Sequence, residues 1–212
     1  MRLYSFFRSS ASYRVRIGLN LKGLTAEYVP INLRADVNYK EAYRKVNAQA
    51  LVPSLEDGGQ VLNQSLAILE YLEETHPKPP LLPGTPVERA RVRSLALAVA
   101  CEIHPLNNTR VLAYLKNRCK LDQAGQDEWY RHWIVLGLTA LETRLSTERE
   151  TGRFCHGDTP GLADCLLIPQ LYNARRVHKD LSDYPTLARI EEACLALDAF
   201  QRAAPEKQPD TV

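Results

Sequence analysis

Arg8-Ser9-Ser10-Ala11-Ser12-Tyr13-Arg14-Val15-Arg16-Ile17 is the stretch on which the fold turns. It follows a short apolar run, Leu3-Tyr4-Ser5-Phe6-Phe7, which has the character of a buried strand. What comes after the run can be read in two ways. Val15, Ile17, Leu19 and Leu21 alternate with Arg14, Arg16, Asn20 and Lys22, which is strand periodicity. The serines before the stretch and Lys22-Gly23 after it are helix start and stop signals, and they favour a helix. A strand that hands over to a helix here presents backbone N–H groups, hydroxyl donors and positive charge to an anion. A carboxylate, a phosphate or a thiolate would each suit that junction.

Outward from the junction, Glu27 to Leu33 reads as a second strand and Glu41 to Val46 as a short helical patch. Val52-Pro53-Ser54-Leu55-Glu56 and Gln60-Val61-Leu62 flank Asp57-Gly58-Gly59, a strong hairpin signal with Asp57 as a turn residue. Ser65 is expected to cap a helix whose apolar positions are Leu66, Ile68, Leu69 and Leu72. Pro77, Pro79, Pro80, Pro83 and Pro86 then mark a linker. Beyond it the pattern is helical: Val87 to about Lys120, Asp127 to about Thr147, Leu162 to about Arg176 and Thr186 to about Arg202. The tail from Ala203 is polar, contains proline and is expected to be loose.

Composition narrows the function classes. The 212 residues, 45% of them hydrophobic, suffice for one large domain or two modest ones. The net charge of +2, from 27 basic and 25 acidic residues, does not point to nucleic acid. No apolar run is long enough to span a bilayer, and the N-terminus has neither an apolar targeting core nor a small-residue cleavage site. Cys101, Cys119, Cys155, Cys165 and Cys194 are odd in number and never spaced as C-x-x-C, poor material for a disulfide framework or a zinc site. A reducing cytoplasm is the expected compartment. His76, His132, His156 and His178 have no metal-ligand partner at sensible spacing.

The order strand, helix, strand, helix, hairpin, helix, linker and helical bundle resembles the cytosolic glutathione transferases. Their fold is an α/β thioredoxin-like N-terminal domain followed by an all-α C-terminal domain, here residues 1–82 and 87–212. The motifs narrow the resemblance to the zeta class. Residues 8–17 are similar to its signature S-S-C-S-[WY]-R-V-R-I. Leu51-Val52-Pro53 looks like the segment whose proline is cis, and Gln64-Ser65 like the pair that grips the γ-glutamyl end of glutathione. His104-Pro105-Leu106-Asn107-Asn108, followed by Arg110, is similar to the helical-domain segment of that class. The likeness covers essentially the whole chain. It implies a homodimer, a helix for the ambiguous stretch after the first strand, glutathione as cofactor, and cis–trans isomerisation of maleylacetoacetate or maleylpyruvate.

Two departures from the family pattern matter. The signature cysteine is Ala11 here, so the reacting sulfur must come from glutathione itself. The helix-capping motif S/T-x-x-D is Gly161-Leu162-Ala163-Asp164, which keeps the carboxylate and loses the reciprocal hydroxyl. Glycine is an acceptable cap, so the loss is a few tenths of a kcal/mol.

The resemblance also implies roles. A thiolate that adds to the alkene and leaves again lets the double bond turn, which is nucleophilic catalysis with a borrowed nucleophile. The protein must lower the thiol pKa, anchor two carboxylates and stabilise an enolate. Ser9 is the candidate sulfur partner; a plain helix cap is its ordinary reading. Ser10 and Ala11 would contribute backbone N–H groups. Ser12 is a cap or filler. Arg8, Arg110 and Arg176 are the candidate carboxylate anchors, because guanidinium meets carboxylate in a bidentate fork. Solvated surface arginines are the alternative for each, and Arg175 is as visible as Arg176. Gln64 and Ser65 would hold the γ-glutamyl carboxylate at a helix start. Val52 would pair its backbone with the cysteinyl part as an edge strand does. His104 and Asn108, four apart on one helical face, would contact glutathione from the second domain.

Two other function classes remain. A general transferase that conjugates glutathione to electrophiles or α-haloacids needs the same thiolate and a more apolar substrate site. A non-catalytic binding protein on the same fold, as in the stringent starvation proteins, predicts a degraded glutathione site. Intact Ser9, Gln64 and Ser65 argue against it. The missing C-x-x-C argues against a disulfide exchanger.

Overall fold

In the computed structural model, which describes residues 1–177 and 180–211, the decisive stretch is a helix, α1 (Ser10–Leu21). Ser9 stands before it with extended backbone, and its Oγ accepts the Ser12 N–H at 3.2 Å. Gly23, at φ +65°, stops the helix. Its N–H donates to Asn20 O and the Leu24 N–H donates to Leu19 O, so two terminal carbonyls are bonded. The residues from Ser12 to Leu19 are all buried. Both flanks of α1 are covered, by α3 (Ser65–Thr75) and α9 (Asp198–Ala203). The alternation of apolar residues with arginine therefore reports burial all round, and Arg14 and Arg16 lie inside the protein.

The chain divides into two compact units. The first is Met1–Leu82 together with the chain from Leu195 onward. Its sheet has the order β2-β1-β3-β4, from β1 (Arg2–Ser5), β2 (Glu27–Pro30), β3 (Ser54–Asp57) and β4 (Gln60–Asn63). β1 runs parallel to β2 and antiparallel to β3, and β3 pairs antiparallel with β4. The register sets Leu3 beside Tyr28 and Leu55, and Leu55 beside Leu62. Successive side chains face opposite ways. Leu3 and Leu55 join Val15, Leu19, Ile68 and Leu72 in one core, while Tyr4 packs on a second made of Phe6, Phe7, Ile31, Tyr43 and Val52. Tyr43 belongs to a short helix, α2 (Glu41–Arg44).

Several expectations for this unit change, among them the helical patch, which ends at Arg44 and not at Val46, and the first hairpin strand, which begins at Ser54 and not at Val52. β2 ends at Pro30 and not at Leu33. Asp57 is the last residue of β3, and its carboxylate accepts the Tyr71 hydroxyl at 2.8 Å. Ser65 is the first residue of α3; Gln64 is the cap position, at φ +72°. The tail is docked. α9 packs on α1, Asn20 Nδ2 donates to Ala199 O at 2.8 Å, and Asp210 bonds both Phe7 and Tyr28. A polar tail is ordered here because its carboxylate and carbonyls meet donors of α1, β2 and the loop after β1.

The second unit, Pro83–Cys194, holds α4 (Pro86–Leu97), α5 (Thr109–Asn117), α6 (Gln123–Thr147), α7 (Leu162–Arg176) and α8 (Pro185–Leu195). The expected single helix from Val87 to Lys120 is divided. A π-helical turn, Ala98–Ile103, follows α4, and the His104–Asn107 segment turns before α5 begins. The His104 N–H donates to Val99 O at 3.0 Å, a five-residue step. Gly137 of α6 faces that turn, where an added Cβ would lie 2.3 Å from the Ile103 side chain. The expected Thr186–Arg202 helix is likewise two, α8 and α9. α7 has the expected ends; the Gly161 N–H donates to Asp164 Oδ2 at 2.8 Å, and the Cys155 N–H to Oδ1 at 2.9 Å. No described helix is long and apolar enough to cross a membrane.

Candidate active site

In the first unit, the sequence candidates gather at two helix starts. Ser9 caps α1 by accepting the Ser12 N–H. A hydroxyl that accepts with a lone pair still has its own proton to donate. Ser10 and Ala11 occupy the first two helical positions, where N–H groups point out along the axis and the dipole is positive. Ser9 and Ala11 are half-buried and Ser10 is buried. Ser12 is fully buried.

The second helix start is that of α3. Gln64 holds a left-handed backbone that costs a non-glycine residue on the order of 1–3 kcal/mol. Its side chain does not cap the helix; Nε2 donates to Gln49 Oε1 at 2.9 Å. Ser65 is buried, and its Oγ accepts from Arg14 Nη1 at 3.2 Å. That leaves the Ser65 proton as a donor. Arg14 itself is 2% exposed. Sequence reasoning assigned it no role, because an arginine beside apolar residues gives no sign of which helix it meets. The signal available was its place inside the signature.

Val52 lies just ahead of β3, in a cis peptide bond with Pro53. β3 is an inner strand, so no sheet edge is open at Val52 and any peptide must pair with the loop. Side chains hold that loop on both sides. Tyr43 Oη and Asn47 Nδ2 donate to Leu51 O at 2.7 and 2.8 Å, and Ser54 Oγ donates to Asn63 Oδ1 at 2.7 Å. Arg8, half-buried, precedes Ser9 in the loop between β1 and α1.

In the second unit, His104 and Asn108 do not share a helical face. His104 ends the π-helical turn, and Asn108 caps α5, with Oδ1 accepting the Arg110 N–H at 3.1 Å. The intervening turn separates them. Arg110 is exposed on the first turn of α5. At the end of α7 the two adjacent arginines part company. Arg175 forms an ion pair with Glu191 of α8 through Nη2 and Nε. Arg176 is exposed, and its charge acts on Tyr130 of α6. Burial pushes the Tyr130 phenol up, and Arg176 pulls it partly back. Of the histidines, His76 meets the Thr75 hydroxyl at 3.0 Å, His132 stacks edge-on against Trp133, and His156 meets Arg91 at 3.0 Å. His178 lies outside the described residues. No three His, Cys, Asp or Glu side chains among the described residues are grouped to hold a metal.

Comparison with known proteins ties this geometry to a family. Residues 3–80 match the family "Glutathione S-transferase, N-terminal domain", and residues 134–193 match "Glutathione S-transferase, C-terminal domain". The chain is 48% identical to a maleylpyruvate isomerase of Ralstonia sp, with 100% of both chains covered. It is also 48% identical, at a TM-score of 0.98 with 100% of both chains covered, to the holo structure of a bacterial maleylpyruvate isomerase described as a zeta-class glutathione S-transferase. The chain belongs to the zeta-class glutathione transferases. A maleylacetoacetate isomerase of Methylobacterium extorquens AM1, solved with bound malonate and glutathione, is 46% identical to this zeta-class chain at a TM-score of 0.97, with 100% of both chains covered. That relative holds a dicarboxylate and the thiol peptide in one protein.

Proposed function

We propose that this zeta-class transferase is a glutathione-dependent cis–trans isomerase of maleyl keto acids, acting on maleylacetoacetate or maleylpyruvate in aromatic catabolism. The observation that carries the reading is the state of Ser9: its oxygen is engaged by Ser12 N–H, and its proton is left for a sulfur at the start of α1. The residues present fit glutathione. One helix start suits a thiolate and the other a carboxylate, and the buried Arg14 adds positive charge behind the Ser65 hydroxyl.

When bound, glutathione supplies a thiolate that adds reversibly to the alkene and is released unchanged. The Ser9 hydroxyl would donate a hydrogen bond to the sulfur, and the α1 dipole would favour the anion, which together lower the thiol pKa. Ser10 and Ala11 direct N–H groups toward negative charge that develops on sulfur or on the enolate oxygen. Gln64 and Ser65 hold the γ-glutamyl carboxylate at α3, and Val52 pairs with the cysteinyl backbone. The family resemblance assigns His104 and Asn108 further contacts to glutathione. Arg8, Arg110 and Arg176 supply guanidinium groups for the two carboxylates of the substrate. Arg175, already paired with Glu191, leaves Arg176 as the anchor of that pair.

Residues 1–82 form the glutathione-binding part of this reading and the helices from 87 onward the substrate part, with α9 and the tail serving the first. The reading includes a homodimer, tested by analytical ultracentrifugation. It also includes the cytoplasm, which suits five free thiols. The experiment is a spectrophotometric assay of both keto acids with and without glutathione. Turnover should require glutathione and return it at its starting concentration; stoichiometric loss of the thiol would instead mean conjugation.

A further inference from the structure

The loop that carries Arg8 and Ser9 is held from behind by two charges, Arg16 inside the signature and Asp210 far outside it. β1 ends at Ser5, so Phe6 and Phe7 lie beyond the ladder. The Phe7 N–H donates to Asp210 Oδ2 at 3.1 Å, and the Phe7 carbonyl accepts from Arg16 Nη2 at 3.0 Å. The Phe6 carbonyl accepts the Ser9 N–H at 3.0 Å and lies 3.5 Å from Arg16 Nη1. Arg16 Nε donates to Ala203 O at 2.9 Å, and Asp210 Oδ1 accepts the Tyr28 hydroxyl at 2.7 Å. Thr211 and Gln208 in turn bond back to Pro205, Arg202 and Ala204, so the segment is folded on itself.

We propose that Asp210 and Arg16 are positioning residues for Ser9: a carboxylate from the 198–211 segment and a buried guanidinium from α1 grip the two sides of the Phe7 backbone and so set where the Ser9 hydroxyl stands. The proposal rests on the reading of Ser9 as the partner of the glutathione sulfur. Only Arg8 separates Phe7 from Ser9, and an ångström-scale displacement of a donor costs it most of a charge-assisted hydrogen bond. Both act through the Phe7 backbone. Their effect is on the energy of the thiolate and not on the grip on the peptide.

Asp210→Ala and Asp210→Asn, made in the full chain, test it. Asn keeps an oxygen for the Phe7 N–H and places an amide donor beside the Tyr28 oxygen, so it serves as the rescue. Three readouts are taken: hydrogen exchange of residues 6–12 without ligand, the pH midpoint of the ultraviolet thiolate band of bound glutathione, and steady-state rates. For Asp210→Ala, exchange in residues 6–12 should rise and the thiolate midpoint should move to higher pH. The kcat at neutral pH should fall about tenfold, with KM for the keto acid within about twofold. Asp210→Asn should restore all three. Wild-type exchange, midpoint and kcat in Asp210→Ala would overturn the proposal, as would a loss that Asn does not rescue. If the wild-type chain fails to turn over either keto acid, the isomerase reading fails; exchange of residues 6–12 still reports whether Asp210 holds the loop.

Discussion

Arg14 Nη1 lies 3.2 Å from Ser65 Oγ, so one buried guanidinium on α1 is joined to the first residue of α3, 51 positions away. The two helix starts proposed to bind glutathione are thus fastened through a charge that water does not reach. A hydrogen bond to a charged group in such a place is worth about 1.5–3 kcal/mol. Arg14→Lys keeps the charge and loses the planar fork. It is expected to weaken glutathione binding about tenfold or more by calorimetry. An unchanged Kd would mean that the γ-glutamyl carboxylate finds its support elsewhere.

Ser9 caps α1 and is proposed to bond the glutathione sulfur, and stability and turnover report on the two separately. Ser9→Ala removes a cap, which costs about 1 kcal/mol of stability, and removes the donor to sulfur. Turnover should fall about a hundredfold or more, while glutathione affinity changes only a few fold. Ser9→Thr keeps both groups and should retain the melting temperature. Unaltered turnover in Ser9→Ala would take Ser9 out of the mechanism.

The neighbouring arginines at the end of α7 should behave differently. Arg175 is engaged by Glu191, so Arg175→Ala should lower the melting temperature and leave KM near wild type. Arg176→Ala should raise KM for the keto acid about tenfold and leave stability within about 0.5 kcal/mol. The reverse pattern would exchange their assignments.

Lys22 and Glu73 form an ion pair at 2.8 Å with side chains 0% and 7% exposed. Burial pushes the Glu73 carboxyl up, but Leu81 N–H, Lys22 and Leu82 N–H together hold it below its ordinary 4.5. A carboxylate whose folded pKa is depressed adds stability above its unfolded pKa and loses it as pH falls through the folded value. Acid unfolding should therefore steepen below about pH 4.5. Glu73→Gln should flatten that limb. It should also cost about 3–5 kcal/mol at neutral pH, because Lys22 is left buried without its counter-charge. A melting temperature with the wild-type pH profile would show that the pair does not govern acid stability.

Gly18 of α1 faces the Leu69 side chain of α3. A Cβ there would lie 2.2 Å from Leu69 Cδ2, and Leu69 is fully buried. Gly18→Ala should cost about 1–3 kcal/mol in chemical denaturation, despite the better helix propensity of alanine. A stabilised variant would show that Leu69 has room to turn away.

Much of this fold is written in short-range signals. Ser9 ahead of α1 and Gly23 behind it, the Gly58-Gly59 turn, and the Gly161–Asp164 start of α7 act within a few residues, so the sequence alone determined where α1 and α7 begin and where the hairpin turns. The same local chemistry marked Ser9 and Ser65 as serines at helix starts. Only the tertiary structure decided what faces what. The alternation in α1 arises from burial on two sides, which requires α9 to be in place. Glu191 engages Arg175 and not Arg176, and the polar tail is docked because Asp210 finds Phe7 and Tyr28. Each of those facts depends on a partner between 16 and 203 positions away. Local propensity cannot encode such a pairing, because the energy that selects it comes from removing both groups from water together.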